Sequence, residues 1–401
     1  MRFYKMTRHK LFLLLLVLFF SSRLFAENIS DSVYDYSLDI PEGFELAEVS
    51  EDQMSYHFTH PNYPVQFILK IYDTNGNYAN ASGLNSPKEV LTTALQKLYA
   101  SMEVDCFYWN ESECAISDFS MTLDKKYSGW AVCAPLKKNG AYITLLAYTS
   151  AETRQSCNPF IMSILNSLCT DQVFYSFPGI IATYAFPPEG SKAININIQN
   201  IPVSSTIDKS DIDAAQFVLE MEYTVLLLYA KHNLWKEAWQ RYYRMIYRDS
   251  FGRLARFSSD VIKQLYPWAK NSNPENPELA YAQAILSWVQ TFNYKRDNAT
   301  ASTTDFTNLP AVLCGEGNDC DSRSMLVCLL LRAAGIESFM LISREYSHAM
   351  TAFENPAPGQ KYEVEGTGRE FLMGETTAKV TWGTIAKDHA DRSKWIPVFL
   401  P

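Results

Sequence analysis

The segment from Gly315 to Gly335 constrains the fold of this chain more than any other. Gly315-Glu316-Gly317-Asn318-Asp319-Cys320-Asp321-Ser322 is a turn rich in glycine and acid that runs straight into Met325, Leu326, Leu329, Leu330 and Ala333. Those apolar residues share one helical face, and Gly335 is placed to stop the helix. Residues 336–343 then read as a β-strand, Ser347-His348-Ala349-Met350 opens a second, and residues 371–377 read as a third. A helix with such a face needs a partner layer, and hairpin-connected strands supply an antiparallel sheet.

Cys320 falls at the start of that helix, where unpaired backbone N–H groups and the helix dipole favour an anion. That placement lowers a thiol pKa, whereas the neighbours Asp319 and Asp321 raise it, so a base is needed. Hairpins between the strands can set His348 and Glu375 side by side, facing the helix end that bears Cys320. Thiol, imidazole and carboxylate are then a nucleophile, a base and an orienting anion.

In this stretch the chain resembles the transglutaminase-like superfamily, papain-like thiol enzymes with Cys, His and Asp or Glu in that order. The resemblance rests on Asn318-Asp319-Cys320-Asp321 before an apolar helix, Gly335-Ile336 at its exit and His348 beginning a strand. Glu375-Thr376-Thr377 and Gly383-Thr384-Ile385 complete it. It implies catalytic roles for Cys320, His348 and Glu375. Upstream, Trp288-Val289-Gln290-Thr291-Phe292-Asn293-Tyr294 resembles the helix with which one branch carries a glutamine, implying that Gln290 donates an amide N–H to an oxyanion. The chain departs from the branch in having Asn318, not glycine, before Asp-Cys, and in the plain Ala349-Met350 after the histidine. Glu365, in Glu365-Gly366-Thr367, is a second candidate for the third member; Glu375 has the fuller motif. Each residue also has an ordinary reading: Cys320 as a buried thiol or a disulfide partner of Cys314 or Cys328, His348 as a strand-end histidine, Gln290 as a polar helix residue. His389 is an outside candidate for the base, in a polar segment that reads as solvated.

The rest of the chain has two characters. Residues 31–170 read as a small α/β module. Strands are expected over 34–40 and 56–72, a helix from Ser86-Pro87 to about Met102, and a hairpin about Lys137-Lys138-Asn139-Gly140. A helix over about 158–168 closes the unit. The order resembles the PsbP-like αβα sandwich, a fold used mostly for binding. His57 and His60 read as ordinary strand residues. Residues 171–209 read as a transition, and from Ser210 the chain turns helical. Trp235, Trp239, Tyr243 and Tyr247 form a stripe read as core, and Pro277 after Asn276 starts a helix.

Charge and the N-terminus narrow the function classes. Arg2, Lys5, Arg8 and Lys10 precede the apolar run 11–20, and Leu24-Phe25-Ala26 offers a small residue for cleavage. This layout predicts a secretory signal peptide over 1–26, with an uncleaved anchor as the other reading. The run is too short to span a bilayer, and no lipid-attachment cysteine follows it. The chain carries 35 basic and 44 acidic residues. Without the five basic residues of the first 26, the balance is 30 against 44, which repels phosphate backbones and argues against nucleic-acid binding. Eight cysteines divide five and three between the halves, so neither can pair all its thiols internally. Cys157 and Cys169 flank a helix that separates them by about 18 Å, too far to bridge. No Cys/His cluster has zinc spacing, and no cofactor is expected.

The expected fold is α+β: an αβα module at 31–170, then a papain-fold domain at 210–401 with helices on an antiparallel sheet. The expected function is exported thiol acyl transfer on protein or peptide amides, secreted or periplasmic, with hydrolysis favoured over crosslinking because it needs no second substrate site. The rival is a silent scaffold whose N-terminal module binds an envelope partner; a third reading has the N-terminal module mask the site until a partner moves it.

Overall fold

The computed structural model describes residues 28–74, 83–171, 177–296, 300 and 303–401; the expected signal peptide lies outside them. No helix among the described residues is long and apolar enough to cross a membrane. The architecture is mixed α+β. In chain order the first half has β1 (Asn28–Asp31), β2 (Tyr36–Asp39), β3 (Glu45–Val49), β4 (Ser55–Thr59) and β5 (Val65–Tyr72). Helix α1 (Pro87–Gln96) leads to β6 (Ser101–Trp109), β7 (Ser112–Thr122), β8 (Lys126–Pro135) and β9 (Tyr142–Ser150), then α2 (Arg154–Asn166) and the short β10 (Leu168–Cys169). Seven strands form one antiparallel sheet in the order β3-β4-β5-β9-β8-β7-β6, while β1, β2 and β10 form a small second one.

The period-2 alternation of strand side chains gives the large sheet two apolar faces. Phe67, Leu69, Val132 and Leu145 pack with Phe160, Ile161 and Ile164 of α2. Their alternates Ala131, Cys133 and Leu146 pack with Val90, Leu91 and Leu95 of α1. The result is the expected helix–sheet–helix layering. Helix α1 starts as expected, with Ser86 capping the Glu89 N–H and Pro87 first in the helix. It ends at Gln96, short of Met102, because Tyr99 takes a left-handed backbone (φ 51°) and the chain from Ser101 pairs with β7 instead. His57 sits in β4 and hydrogen-bonds Gln66, and His60 is buried just beyond it on the Glu42 carbonyl.

The expected transition at 171–209 carries a short helix α3 (Ile180–Ala185) and a hairpin, β11 (Ser191–Ile198) and β12 (Ile201–Asp208). Gln199 and Asn200 both have positive φ, as a two-residue hairpin turn requires. Then come α4 (Asp211–Leu228), α5 (Trp235–Arg253), α6 (Ala255–Ser272) and α7 (Pro277–Val289), the last capped by Asn276. Helix α8 (Leu309–Leu313) precedes α9 (Cys320–Ala333). Strands β13 (Ser338–Ser343), β14 (His348–Glu354), β15 (Lys361–Val364), β16 (Arg369–Gly374) and β17 (Ile396–Val398) form an antiparallel sheet in the order β15-β16-β14-β13-β17. Helix α9 buries Met325, Leu326, Leu329 and Leu330 among Met340, Ile342, Ala349, Phe353 and Leu372, one face of this sheet. Within the tryptophan–tyrosine stripe, Tyr243 and Tyr247 are core; Trp235 and Trp239 are half-buried. All eight cysteines are free thiols.

Candidate active site

The turn before α9 is fixed by its backbone. Asn318 and Tyr294 form a parallel bridge, with Lys295 N–H donating to the Asn318 carbonyl and Asn318 N–H to that of Asn293. Gly317 passes so close to Lys295 that a Cβ there would sit 2.6 Å from the lysine Cβ. Asp319 caps α9 by accepting the Ser322 N–H at 3.0 Å. Cys320 is therefore the first residue of the helix, and its N–H is among those a helix leaves unpaired.

The second part comes from the sheet. His348 is the first residue of β14, and β14 pairs with β16, after which the chain leaves the sheet at Glu375. This places His348 Nε2 2.8 Å from Glu375 Oε2. Glu375 Oε1 accepts the Thr377 N–H and hydroxyl at 2.7 and 2.6 Å. Burial alone would raise the Glu375 carboxyl, but the bond and charge of His348, with the Thr377 donors, outweigh it and bring it down to about 2. With a proton on Nε2 donated to this carboxylate, the lone pair on Nδ1 is the basic one. Glu365 lies in the exposed turn between β15 and β16.

The Cys320 thiol is 2% exposed. Its sulfur lies 3.7 Å from Asp321 Oδ1, to which the thiol donates. Among the described residues no hydrogen bond joins the thiol to the imidazole. Burial pushes the thiol pKa up, Asp321 and Asp319 push it further, and the Ala349 N–H and Arg296 act the other way. Asp321 is itself raised to about 7 by burial and by Asp319, while its Oδ2 accepts the Tyr243 hydroxyl at 2.9 Å. Asp321→Asn is thus expected to move the midpoint of Cys320 alkylation down by about one pH unit, from removal of a like charge. The effect should be largest above pH 7, where Asp321 is ionised, and is read from labelling rates across pH.

Gln290 is a correction. Its Nε2 donates to the carbonyls of Glu375 at 2.8 Å and Val380 at 3.0 Å, so both amide hydrogens are committed and neither is free for an oxyanion. It clamps the segment that carries Glu375. Arg323 was hidden in the sequence. It is 1% exposed and donates to Asn318 Oδ1 and to the carbonyls of Phe292 and Thr376. The residue at 318, a departure from the resembled pattern, is the acceptor for this arginine. His389 is not solvated as expected: its ring centroid lies 5.2 Å from that of His348 and 4.8 Å from that of Tyr346.

No protein-family model matches the chain, and no curated protein matches it. Solved structures similar to parts of it include cyanobacterial PsbP from Synechocystis, 12% identical over 38% of this chain and 95% of that one, with a TM-score of 0.31. The Ran-binding protein Mog1p of Saccharomyces cerevisiae is 9% identical over 38% of this chain and 98% of that one, TM-score 0.27. LpqN of Mycobacterium tuberculosis, involved in cell envelope biogenesis, is 13% identical over 35% and 85%, TM-score 0.24. At these TM-scores the likeness carries no functional argument. The layered N-terminal half rests on its own strand order.

Proposed function

We propose that this protein is an exported thiol acyl-transfer enzyme acting on amide bonds of proteins or peptides, with Cys320 as nucleophile, His348 as base and Glu375 as its orienting anion. The observation that carries the reading is the His348–Glu375 pair at 2.8 Å on the strand that packs against α9, the helix headed by Cys320. The Cys320 sulfur attacks the amide carbonyl carbon as His348 takes the thiol proton. The imidazolium returns that proton to the departing amine, leaving a thioester on Cys320. Water, deprotonated by His348, then releases the acid and restores the thiol. Hydrolysis is the favoured outcome, since transfer to an amine needs a second substrate site.

The test is the alkylation rate of Cys320 against pH, with the residue located by peptide mapping, in the wild type and in His348→Ala. Labelling well below pH 8.5 that disappears in the variant is the expected result. Slow labelling, equal in both proteins, refutes the enzyme. A second reading, a silent scaffold whose N-terminal module binds an envelope partner, is favoured by the buried thiol and its missing bond to the imidazole, and gives that second result.

A further inference from the structure

The triad histidine has a neighbour that the acyl-transfer reading does not use. His389 sits in a short 3-10 turn, Lys387–His389, fastened by Trp395 Nε1, which donates to the His389 carbonyl at 2.8 Å. The turn brings its imidazole against that of His348, with Trp395 beside both rings at centroid distances of 6.3 and 6.0 Å. One ring nitrogen of His348, one of His389 and one Glu375 oxygen all lie within 4.8 Å of one another. His389 Nδ1 is buried and no side chain or backbone group among the described residues bonds it. A buried polar nitrogen without a partner is unfavourable, and a ligand would relieve it.

We infer that His348, Glu375 and His389 form a binding site for a borderline-soft divalent cation such as zinc. Two imidazoles and one carboxylate are the donors of a three-ligand zinc site with a fourth position open. Hard cations such as magnesium and calcium prefer all-oxygen donors and would be poor occupants. Donors on a tetrahedral zinc stand roughly 3.3 Å apart at bond lengths near 2.0 Å, so small rotations of the three side chains close the site. The His348–Glu375 hydrogen bond is exchanged for two bonds to the ion, and the proton on Nε2 moves to Nδ1, so that the imidazole stays neutral. The aromatic rings of Tyr346 and Trp395 wall the site, limiting competition from water. Cys320 is not a ligand: its group of nearby donors is a separate one, with Asp319 and Asp321. One consequence rests on the proposed function: an ion on His348 removes the base, so zinc and fast labelling of Cys320 exclude each other.

The test measures zinc affinity and stoichiometry by competition with a chromophoric chelator, for the wild type, His389→Asn and Cys320→Ser. One ion per chain is expected, bound at least about tenfold more weakly by His389→Asn and equally well by Cys320→Ser. The visible spectrum of the cobalt-loaded protein is the second measurement, expected to show no thiolate charge-transfer band. Failure to bind stoichiometrically, indifference to His389→Asn, loss in Cys320→Ser or a thiolate band each overturn the site. All these readouts are independent of acyl transfer, so the cation site can stand where the enzyme falls, and the reverse.

Discussion

Truncating Arg241 to alanine is expected to lower the free energy of unfolding by about 3–5 kcal/mol, the cost of stranding a buried charge. Arg241 and Glu222 are 2% and 0% exposed at the side chain and meet at 2.7 Å. The same guanidinium donates to the Asp39 carbonyl and to the Ser163 hydroxyl, which in turn donates to Glu222. One turn on, Arg244 makes a two-pronged bond to the Asp39 carboxylate at 2.8 and 2.9 Å. A further turn along α5, Arg248 donates to the carbonyls of Ser167 and Leu168 at the end of α2. A single helix of the second half thus grips β2 and α2 of the first through three arginines. Loss of Arg241 leaves Glu222 charged in the interior, and removes one of the cations that hold down the Glu42 carboxyl, which burial has already pushed up to about 8. Urea unfolding of wild type and variant measures the difference. Replacing Arg241 and Glu222 together by apolar residues should recover much of the loss. Because the grip is shared, wild type should unfold in one transition; two transitions, or a loss below about 1 kcal/mol, would show that the halves are stable separately.

What the sequence revealed of the site was the part written in local rules. An acid before the helix, an apolar face and a closing glycine are enough to place Cys320 on a helix end, and Asp319 caps it as a short acid can. The strand that opens at His348 and the one that leads to Glu375 were readable from composition; they pair directly, but not as a hairpin, because the unforeseen β15 lies between them in the chain. What stayed hidden depends on contacts far apart in the chain. Arg323 drew no notice in the sequence; its partners at 292, 318 and 376 are invisible to periodicity. Gln290 was read as an oxyanion donor because its actual partners, the carbonyls of Glu375 and Val380, lie 85 and 90 residues away. His389 stands in a 3-10 turn, which has no hydrophobic period to announce it. Residues 191–208 did alternate, with Ile194, Ile198, Val203 and Ile207 all buried, yet the polar residues between them concealed the hairpin.

Replacing Arg323 by methionine is expected to remove the fast labelling of Cys320 and to cost roughly 3 kcal/mol or more, at 1–3 kcal/mol for each buried acceptor left unpaired. The three acceptors are Asn318 Oδ1 at 2.7 Å, the Phe292 carbonyl at 2.8 Å and the Thr376 carbonyl at 3.3 Å. They belong to the turn before Cys320, the exit of α7 and the segment just past Glu375. No carboxylate pairs with this guanidinium among the described residues; it lies over the Tyr294 ring, 5.2 Å from the centroid. Its energetic value is therefore in hydrogen bonds spread over three pieces of chain, a geometry that a lysine with one point charge cannot reproduce. Arg323→Lys should accordingly rescue little. Arg323 bonds neither Cys320 nor His348, so on the proposed function its role would be positioning, which stability alone cannot identify. The discriminating readout is the pH profile of Cys320 alkylation at a temperature where the variant remains folded. If Arg323 holds the helix head in register with β14, the low-pH labelling arm is lost while the slow, alkaline labelling of an ordinary thiol remains. A variant that loses stability yet keeps the wild-type profile would make Arg323 a structural residue only, and would mean that the His348–Glu375 pair finds the thiol without it.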